Sequence, residues 1–284
     1  MADGVEVLRT VAEARARSEA WRCEGLSVGL VPTMGALHEG HLSLVRRARE
    51  ECDRTVVSIF VNPLQFAPGE DYERYPRDLD ADMALLRAER VDAVYTPAVE
   101  AMYPPGATSR ARVAGLDEVL EGECRPGHFE GVATVVLKLF NAVRPRRAYF
   151  GQKDGQQARL VGRLARDLDT GVEVVVCATV REPDGLALSS RNAYLRGPER
   201  AAARCLVRAL TAANARWLGG ERDAAALARA MREVLAAEPL ASVDYAAVVD
   251  EQSFRGPGRL AVVAVRIVRT RLIDNHPLGE PLPV

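Results

Sequence analysis

Residues 32–41, Pro32-Thr33-Met34-Gly35-Ala36-Leu37-His38-Glu39-Gly40-His41, connect two stretches of different pattern. The apolar run 26–31 before them is typical of a buried strand, and the stretch 42–50 after them is typical of a helix. The order of elements is therefore strand, glycine-bearing turn, helix. Because the first N–H groups of a helix lack partners within the helix and its dipole favours anions there, this turn predicts a phosphate-binding site.

Two imidazoles lie at the predicted start of this helix. His38 and His41 are three residues apart, so both side chains can face one ligand on the first helical turn. Taken alone, the pair is also compatible with a zinc site or with side chains that only cap the helix. A zinc site lacks a third ligand at suitable spacing, because no two cysteines form a Cys-x-x-Cys pair. The cysteines are Cys23, Cys52, Cys124, Cys177 and Cys205.

The composition excludes several classes of protein. With 284 residues the chain exceeds what one hydrophobic core usually serves, so we expect two domains, or one large domain with an appendage. No run approaches the roughly 20 apolar residues of a membrane helix, and the N-terminus does not resemble a signal peptide. Scattered cysteines indicate free thiols in a reducing cytoplasm. The net charge of −1 argues against a surface that binds nucleic acid, and leaves a local basic cleft as the alternative.

Lysine is almost absent from the chain. Only two of the 38 basic residues are lysine, namely Lys138 and Lys153. Lys138 lies in a mostly apolar helical stretch, where its aliphatic stem can cover apolar surface. Lys153 follows a short strand in Gly151-Gln152-Lys153-Asp154, and a compact ammonium there indicates a phosphate contact. The alternative is that lysine persists at this position by chance.

Strand-like apolar runs alternate with helical patterns over the first 180 residues. The strand-like runs are 26–31, 55–61, 92–95, 147–150 and 172–178, and the helical ones are 42–50, 80–90, 131–143 and 156–168. Successive βα units predict an α/β fold of the Rossmann-like, doubly wound type, with a mostly parallel sheet and helices on both faces. Ligands of such sheets bind beyond the carboxyl ends of the strands. The polar motifs all follow predicted strands and should meet at that edge.

The pattern changes near residue 180. Alanine-rich helical stretches at 199–217 and 224–237 precede strand-like runs at 243–249 and 259–268, which predicts a smaller C-terminal α+β unit. We therefore place two domains at residues 1–179 and 180–284.

The junction between these domains carries a second group of phosphate-compatible side chains. Ser189, Ser190 and Arg191 offer two hydroxyls and a guanidinium, which suit the oxygens of a triphosphate. Alone, these residues could equally be a helix cap. Together with the two histidines and Lys153, they predict that donors from three strand ends converge on one polyphosphate.

Seven segments of the chain together resemble the pantothenate synthetase family. They are residues 32–41, 60–66, 125–132, 151–154, 156–157, 188–192 and 270–275. The His-Glu-Gly-His sequence alone indicates only the nucleotidyltransferase superfamily, which includes class I aminoacyl-tRNA synthetases. The combination of Asn-Pro-Leu-Gln-Phe, Gly-Gln-Lys-Asp and Ser-Ser-Arg-Asn, in the family's order and over nearly the whole chain, narrows the resemblance to one family.

The resemblance implies an AMP-forming ligase that joins pantoate to beta-alanine. In the implied reaction the carboxylate of pantoate attacks the α-phosphorus of ATP, and the amine of beta-alanine then displaces AMP from pantoyl adenylate. The first step needs charge neutralisation and alignment more than a protein nucleophile. The resemblance also implies Mg2+ held chiefly by the phosphates, with no metal site built from protein residues, and a homodimer.

The resemblance further implies roles for individual residues. ATP would be bound by Met34, Gly35, Ala36, Leu37, His38, Glu39, Gly40, His41, Gly151, Gln152, Lys153, Asp154, Val180, Leu188, Ser189, Ser190 and Arg191. Catalytic roles would fall to His41, the implied proton donor, and to His38, Lys153 and Arg191. Gln65 and Gln157 would bind pantoate, and Arg125 and His128 would contact phosphate or the amino acid. Residues 180–284 would then form a lid on the domain that binds ATP and pantoate.

Three further expectations come with these assignments. The segment 67–77, rich in charges, proline and glycine, should fold over the reaction intermediate and exclude water. Leu188 stands where the family commonly has methionine, a change that conserves volume. Gly155 stands where the family usually has an aromatic residue, and the glycine removes packing beneath the nucleotide or substrate.

Two rival functions are distinguishable by their products. An adenylyltransferase would leave AMP attached to its acceptor, whereas the ligase releases AMP only when beta-alanine is supplied. A nucleotide-sensing module would bind ATP without any pantoate-dependent exchange of pyrophosphate into ATP. A tRNA synthetase is disfavoured, because the chain has no basic anticodon-binding extension.

Overall fold

Six parallel strands form the main sheet of the computed structural model, which describes residues 4–282. They are β1 (Glu6–Leu8), β2 (Val28–Thr33), β3 (Arg54–Ile59), β4 (Ala93–Tyr95), β5 (Arg147–Gly151) and β6 (Glu173–Cys177). Their order across the sheet is β1-β4-β3-β2-β5-β6, and all neighbouring strands run parallel. The central strands β2 and β3 are buried along most of their length, as expected of parallel strands that are covered on both faces.

Helices flank this sheet. In the unit that contains the sheet they are α1 (Val11–Cys23), α2 (Glu39–Glu51), α3 (Leu79–Ala88), α4 (Val99–Met102), α6 (His128–Val143) and most of α7 (Gly155–Asp167), whereas α5 (Glu121–Cys124) belongs to the second unit. Val45 of α2 and Leu86 of α3 pack with Val57 of β3 in one apolar cluster. The neighbouring side chain Val56 points to the opposite face and is buried as well. The helices α1 and α6 both contact β2, so they also cover the central part of the sheet.

The strand order reverses between β2 and β5. From β2 the sheet continues through β3 and β4 in one direction, and through β5 and β6 in the other. The carboxyl ends of the two strands at such a reversal are where doubly wound sheets bind their ligands. The chain continues from β2 into the turn that begins with Met34, and from β5 into the segment that begins with Gln152.

The chain divides into two compact units. The first comprises the residues up to Asp117, Arg125–Gly151 and Gln157–Cys177, and it contains the six-stranded sheet. The second comprises Glu118–Cys124, Gln152–Gln156 and the chain from Ala178 onwards.

The second unit has its own antiparallel sheet and core. Its strands are β7 (Ala241–Val249), β8 (Leu260–Ile267) and β9 (Thr270–Pro277), paired in the order β7-β8-β9. Its helices are α8 (Pro198–Ala202), α9 (Cys205–Leu218) and α10 (Ala224–Ala236). Leu206, Leu227 and Met231 from the helices pack on Val263 and Val265 of β8, which gives the unit a continuous apolar core.

The predicted fold class, a doubly wound α/β sheet with a smaller C-terminal α+β part, is confirmed. The single helix predicted over 199–217 is wrong. The backbone tightens between α8 and α9, where the Arg204 N–H bonds to Ala201 and the Leu206 N–H bonds to Ala203. The strands β1 and β9 and the helix α1 were not predicted. The boundary at residue 180 stays a prediction. No helix within residues 4–282 has the length and apolar character to cross a bilayer.

Candidate active site

The turn after β2 has a backbone that requires glycine. Gly35 and Ala36 both have positive φ angles, of 86° and 50°. A Cβ atom at Gly35 would lie 2.9 Å from Oδ2 of Asp82 and 3.1 Å from Cγ2 of Ile59. Glycine is therefore needed at this position on both conformational and steric grounds.

Asp82 of α3 holds this turn. The side chain is buried, and its two oxygens accept hydrogen bonds from the backbone N–H groups of Ala36 at 3.0 Å and Leu37 at 2.7 Å. Burial raises the pKa of the Asp82 carboxyl, and the two N–H donors oppose that rise. The carboxylate thereby fixes the conformation of the turn and the place where α2 begins.

The two histidines lie side by side where α2 starts. His38 is the residue before the helix, and its backbone N–H donates to Nδ1 of His41 at 3.4 Å. The centroids of the two imidazole rings are 4.1 Å apart. Because Nδ1 of His41 accepts a hydrogen bond, the neutral ring carries its proton on Nε2. The turn thus presents a helix N-terminus together with an imidazole donor, and this combination suits an anionic ligand.

Gln65 lies close to the same turn. It ends a 3-10 turn, Pro63–Gln65, that follows β3. Its Nε2 donates to Sδ of Met34 at 3.1 Å, and its Oε1 accepts from Nδ2 of Asn62 at 3.1 Å. Asn62 is buried and also donates to the carbonyl of Gly131 at 3.1 Å. Asn62 therefore orients the Gln65 amide and connects it to α6.

The 3-10 turn and α6 meet at Gly131 with backbone against backbone. A Cβ atom at Gly131 would lie 2.3 Å from the carbonyl oxygen of Leu64 and 2.7 Å from the nitrogen of Gln65. No side chain fits in this contact, so glycine is required for the close approach. The position of Gln65 is consequently set by the position of α6.

Arg125 and His128 hold the chain after β3. Nε and Nη2 of Arg125 donate to the two carboxylate oxygens of Glu70, at 2.8 and 2.6 Å. Nη2 also donates to the carbonyl of Gln65 at 3.2 Å, and Nδ1 of His128 lies 2.9 Å from the same oxygen. Only 11% of the Arg125 side chain is exposed. These contacts fix Gln65 through its backbone, whereas contacts of Arg125 and His128 with substrates stay a prediction.

Residues 66–77, which we name the cover loop, fold onto their own aromatic side chains. The ring of Phe66 packs edge-on against Tyr72 and Tyr75, with centroid distances of 5.4 and 6.0 Å. Arg77 donates to the carbonyls of Tyr72 at 2.8 Å and Tyr75 at 3.2 Å. The Arg125–Glu70 pair is thus the charged contact that attaches a compact loop to the start of α6.

In the second unit, the segment after β5 forms a single 3-10 turn, Gln152–Asp154. The amide of Asn275 donates to the carbonyls of Gln152 at 2.8 Å and Lys153 at 2.9 Å. Nε2 of Gln152 donates in return to Oδ1 of Asn275 at 2.7 Å. One side chain of β9 therefore holds the backbone of the lysine that the sequence predicts to contact phosphate.

Residues 180–188 form a tight hairpin in the same unit. The Leu188 N–H donates to the carbonyl of Val180 at 3.0 Å. Nη1 and Nη2 of Arg181 donate to the two oxygens of Asp274, at 2.6 and 3.0 Å. Both side chains are buried, with 5% of Arg181 and 1% of Asp274 exposed. A buried, two-pronged ion pair therefore ties the hairpin to β9.

Arg200 of α8 holds the hairpin through other side chains. It donates to Asp184 at 2.8 and 3.1 Å and to Glu182 at 2.6 Å. The hydrogen bonds from Arg200 lower the pKa of Asp184. Immediately after the hairpin, Oγ of Ser189 accepts the N–H of Arg191 at 3.3 Å and caps a 3-10 turn. The two hydroxyls and the guanidinium thus follow a rigidly held hairpin.

The predicted site residues are distributed over both units. The first contains residues 34–41, Gln65, Arg125, His128, Gly151 and Gln157, and the second contains 152–154, Val180 and 188–191. No group of three histidine, cysteine or acidic side chains that could hold a metal occurs in the described part of the chain.

Six residues that position predicted site segments were not identified as site residues from the sequence. They are Asn62, Glu70, Asp82, Arg181, Asp274 and Asn275. Three of them, Asn62, Asp274 and Asn275, lie inside the family-like segments, which was the available signal. The other three carry no local signal, because their importance depends on partners far away in the sequence.

Comparison with known sequences identifies similar proteins over almost the whole chain. A family model described as pantoate-beta-alanine ligase matches residues 6–277. Pantothenate synthetase from Rubrobacter xylanophilus is 58% identical over 285 aligned positions, which cover 96% of this chain and 98% of that protein. The corresponding protein from Chloroflexus aurantiacus is 55% identical over 277 positions, with 95% and 97% covered.

Solved structures give the same result. The crystal structure of pantothenate synthetase from Thermus thermophilus matches with a TM-score of 0.90 at 49% identity, covering 97% of this chain and 100% of that one. The pantoate-beta-alanine ligase from Francisella tularensis matches with a TM-score of 0.81 at 32% identity, covering 99% of this chain and 100% of that one. The latter structure was determined in complex with beta-gamma ATP and beta-alanine.

Proposed function

Because this chain belongs to the pantoate-beta-alanine ligase family and catalyses the ATP-dependent ligation of pantoate to beta-alanine, we propose that the reaction passes through pantoyl adenylate. The observation that carries the proposal is the turn after β2, where His38 and His41 lie side by side at the N-terminus of α2. Such a turn supports binding and activation of a phosphate chain.

The proposed reaction has two balanced steps. A carboxylate oxygen of pantoate forms a bond to the α-phosphorus of ATP, and the bond from that phosphorus to pyrophosphate breaks. The amine of beta-alanine then attacks the acyl carbon, AMP leaves with the oxygen that came from pantoate, and the amine loses a proton. Neither step needs a covalent bond to the protein, so the residues act by alignment and charge stabilisation.

We propose ATP contacts from the segments that the resemblance implies, namely residues 34–41, 151–154, 180 and 188–191. His41 would donate from Nε2 to the departing pyrophosphate, and Lys153 and Arg191 would stabilise its charge. Gln65 and Gln157 would bind pantoate, whose hydroxyls and carboxylate need both donors and acceptors. The fixed orientation of the Gln65 amide supports this assignment.

ATP would arrive as its Mg2+ complex. In such a complex the ion is held chiefly by phosphate oxygens and water. The ion would neutralise charge on the phosphates. We also propose a homodimer, which the resemblance implies. A cytoplasmic location is proposed as well, supported by five cysteines that are all free thiols.

The adenylate can be tested by following oxygen atoms. Pantoate labelled with 18O in its carboxylate should yield AMP that carries one labelled oxygen, because the bond that breaks in the second step is the acyl carbon–oxygen bond. Mass spectrometry of the released AMP measures this. Beta-alanine labelled in its carboxylate is the control and should leave AMP unlabelled. Unlabelled AMP from labelled pantoate would exclude the adenylate.

The cover loop offers a second test, through Glu70. Glu70→Gln keeps the size of the side chain but removes the charge that pairs with Arg125. Because this pair fixes the loop and the backbone of Gln65, we expect the KM for pantoate to rise about fivefold, as for a loss of roughly 1 kcal/mol. Steady-state kinetics measure the change. Glu73→Gln removes an exposed charge from the same loop and should leave this KM unchanged.

The same pair has a defined pH dependence. Burial raises the pKa of Glu70, but the hydrogen bonds and charge of Arg125, together with the N–H of Ala67 and the His128 ring, outweigh it and hold the pKa below the ordinary 4.5. The stabilisation by ionised Glu70 is therefore complete above pH 4.5 and is lost as the pH falls through the lowered pKa. The difference in unfolding free energy between wild type and Glu70→Gln should be constant near neutrality and shrink in acid. A constant difference throughout would contradict the pairing.

A further inference from the structure

Asp274 and Asn275 are adjacent polar residues of β9 with no part in the chemistry described so far. They pair with Val263 and Val262 of β8 and are 2% and 6% exposed. Successive side chains of a strand leave on opposite faces. Two buried polar side chains therefore point from one position in the sheet toward different segments of the second unit.

The side-chain amide of Asn275 bonds to the segment after β5 through both its nitrogen and its oxygen. Its two N–H groups serve the consecutive carbonyls of Gln152 and Lys153, and its oxygen accepts from the Gln152 side chain. A Cβ atom at Gly155 would lie 3.1 Å from Nε2 of Gln152 and 3.3 Å from Nδ2 of Asn275. The glycine at position 155 thus leaves room for this paired-amide contact.

The carboxylate of Asp274 is committed to the hairpin 180–188. It accepts both donors of Arg181, and Arg181 also donates to the carbonyl of Gly185 at 3.1 Å. Oδ1 of Asp274 in addition accepts the backbone N–H of Asn275 at 2.8 Å. The two side chains are therefore connected to each other as well as to their separate segments.

We propose that Asp274 and Asn275 are positioning residues for ATP, which set the mutual geometry of the segments 152–154 and 180–188. The proposal rests on the proposed function, since those segments are the ones assigned to the nucleotide. Displacement of either segment would move the Lys153 backbone or the Val180 carbonyl relative to the other. The proposed pantoate ligands Gln65 and Gln157 belong to the first unit, and the Gln65 side chain bonds to Asn62 and Met34.

Asn275→Asp is the most informative variant, because it keeps the shape of the side chain and replaces the amide nitrogen, which donates both hydrogen bonds, by an oxygen that cannot donate. Two hydrogen bonds to carbonyls are lost, so we expect the KM for ATP to rise at least about tenfold. The KM for pantoate should stay within about twofold, since the Gln65 amide is held by Asn62 and Met34 and not by either variant position. Asp274→Asn, which removes the charge that faces Arg181, should produce the same selective rise.

Leu272→Val is the matched control. Leu272 lies on the same strand, packs in the apolar core and has no hydrogen bond from its side chain to either segment. The variant should therefore lower the melting temperature without disturbing the two segments. It should leave both KM values unchanged. An unchanged KM for ATP in both polar variants, or a parallel rise of the two KM values, would overturn the proposal and leave Asn275 and Asp274 a purely structural role.

The positioning role and the adenylate route can be rejected independently of each other. The KM values come from the complete ligation reaction, which does not depend on how the pantoate is activated. If 18O from pantoate failed to appear in AMP, the adenylate would be excluded while the selective rise in the KM for ATP would still decide the positioning role. If the label appeared but the selective rise did not, only the positioning role would be lost.

Discussion

Replacement of His41 by alanine should slow the pantoate-dependent exchange of pyrophosphate into ATP by about 100-fold, since a donor aimed at developing charge contributes roughly 2–4 kcal/mol. The structure shows how the ring is held for this role. Nδ1 of His41 accepts the N–H of His38, which fixes the ring and leaves Nε2 as its proton donor. The exchange assay without beta-alanine measures the first step alone.

Two further variants at His41 separate the proton donor from the helix cap. Asparagine can place an acceptor near the position of Nδ1 and preserve the bond to the His38 N–H, but it has no group at the position of Nε2. Glutamine can place an amide N–H near Nε2. We expect asparagine to be as slow as alanine and glutamine to recover part of the rate. Equal activity of wild type and asparagine would show that His41 only caps α2.

The second large effect is expected at Asp82. Asp82→Ala leaves the N–H groups of Ala36 and Leu37 without their acceptor, which should lower the unfolding free energy by about 2–4 kcal/mol. The turn before α2 then relaxes and the histidines shift. Because a misplacement of about 1 Å can lower a rate by as much as about 100-fold, kcat/KM for ATP should fall at least about tenfold. Denaturant unfolding and steady-state kinetics measure the two effects.

A variant on the same helix controls for charge. Asp80 is exposed in the first turn of α3, so Asp80→Ala removes a negative charge close in sequence without a bond to the turn. It should change neither quantity by more than the usual scatter of surface variants. A destabilised Asp82→Ala enzyme with unchanged kcat/KM for ATP would contradict the role of this carboxylate in placing the histidines.

The parallel sheet was predictable because buried parallel strands are continuous apolar runs. The strand β9 was not, because its sequence Thr-Arg-Leu-Ile-Asp-Asn-His-Pro is interrupted by side chains that bond to other segments of its unit. The strand β1 has only three residues, too few for any periodicity. In α1 the buried face includes Ser18 beside Ala14 and Trp21, so the apolar stripe is weak.

Candidate site residues could be proposed from the sequence where they lie in short motifs, but not where they depend on distant pairs. The histidine turn and the Gly-Gln-Lys-Asp segment carry donors whose types indicate phosphate. Asp82 lies 46 positions from Ala36, and Arg125 lies 55 positions from Glu70. Only folding brings such pairs together, and a single sequence contains no measure of that proximity.

The contact between Gly131 and Leu64 has a consequence for substrate choice. Side chains can rotate to accommodate a strain, whereas two backbones in direct contact have no such freedom and transmit strain to each other. A shift of α6 should therefore move Gln65 with it. With Gln65 as the proposed pantoate ligand, we expect the packing of α6 on the sheet to influence which hydroxy acids are accepted. Variants selected for bulkier acids should then carry substitutions beneath α6.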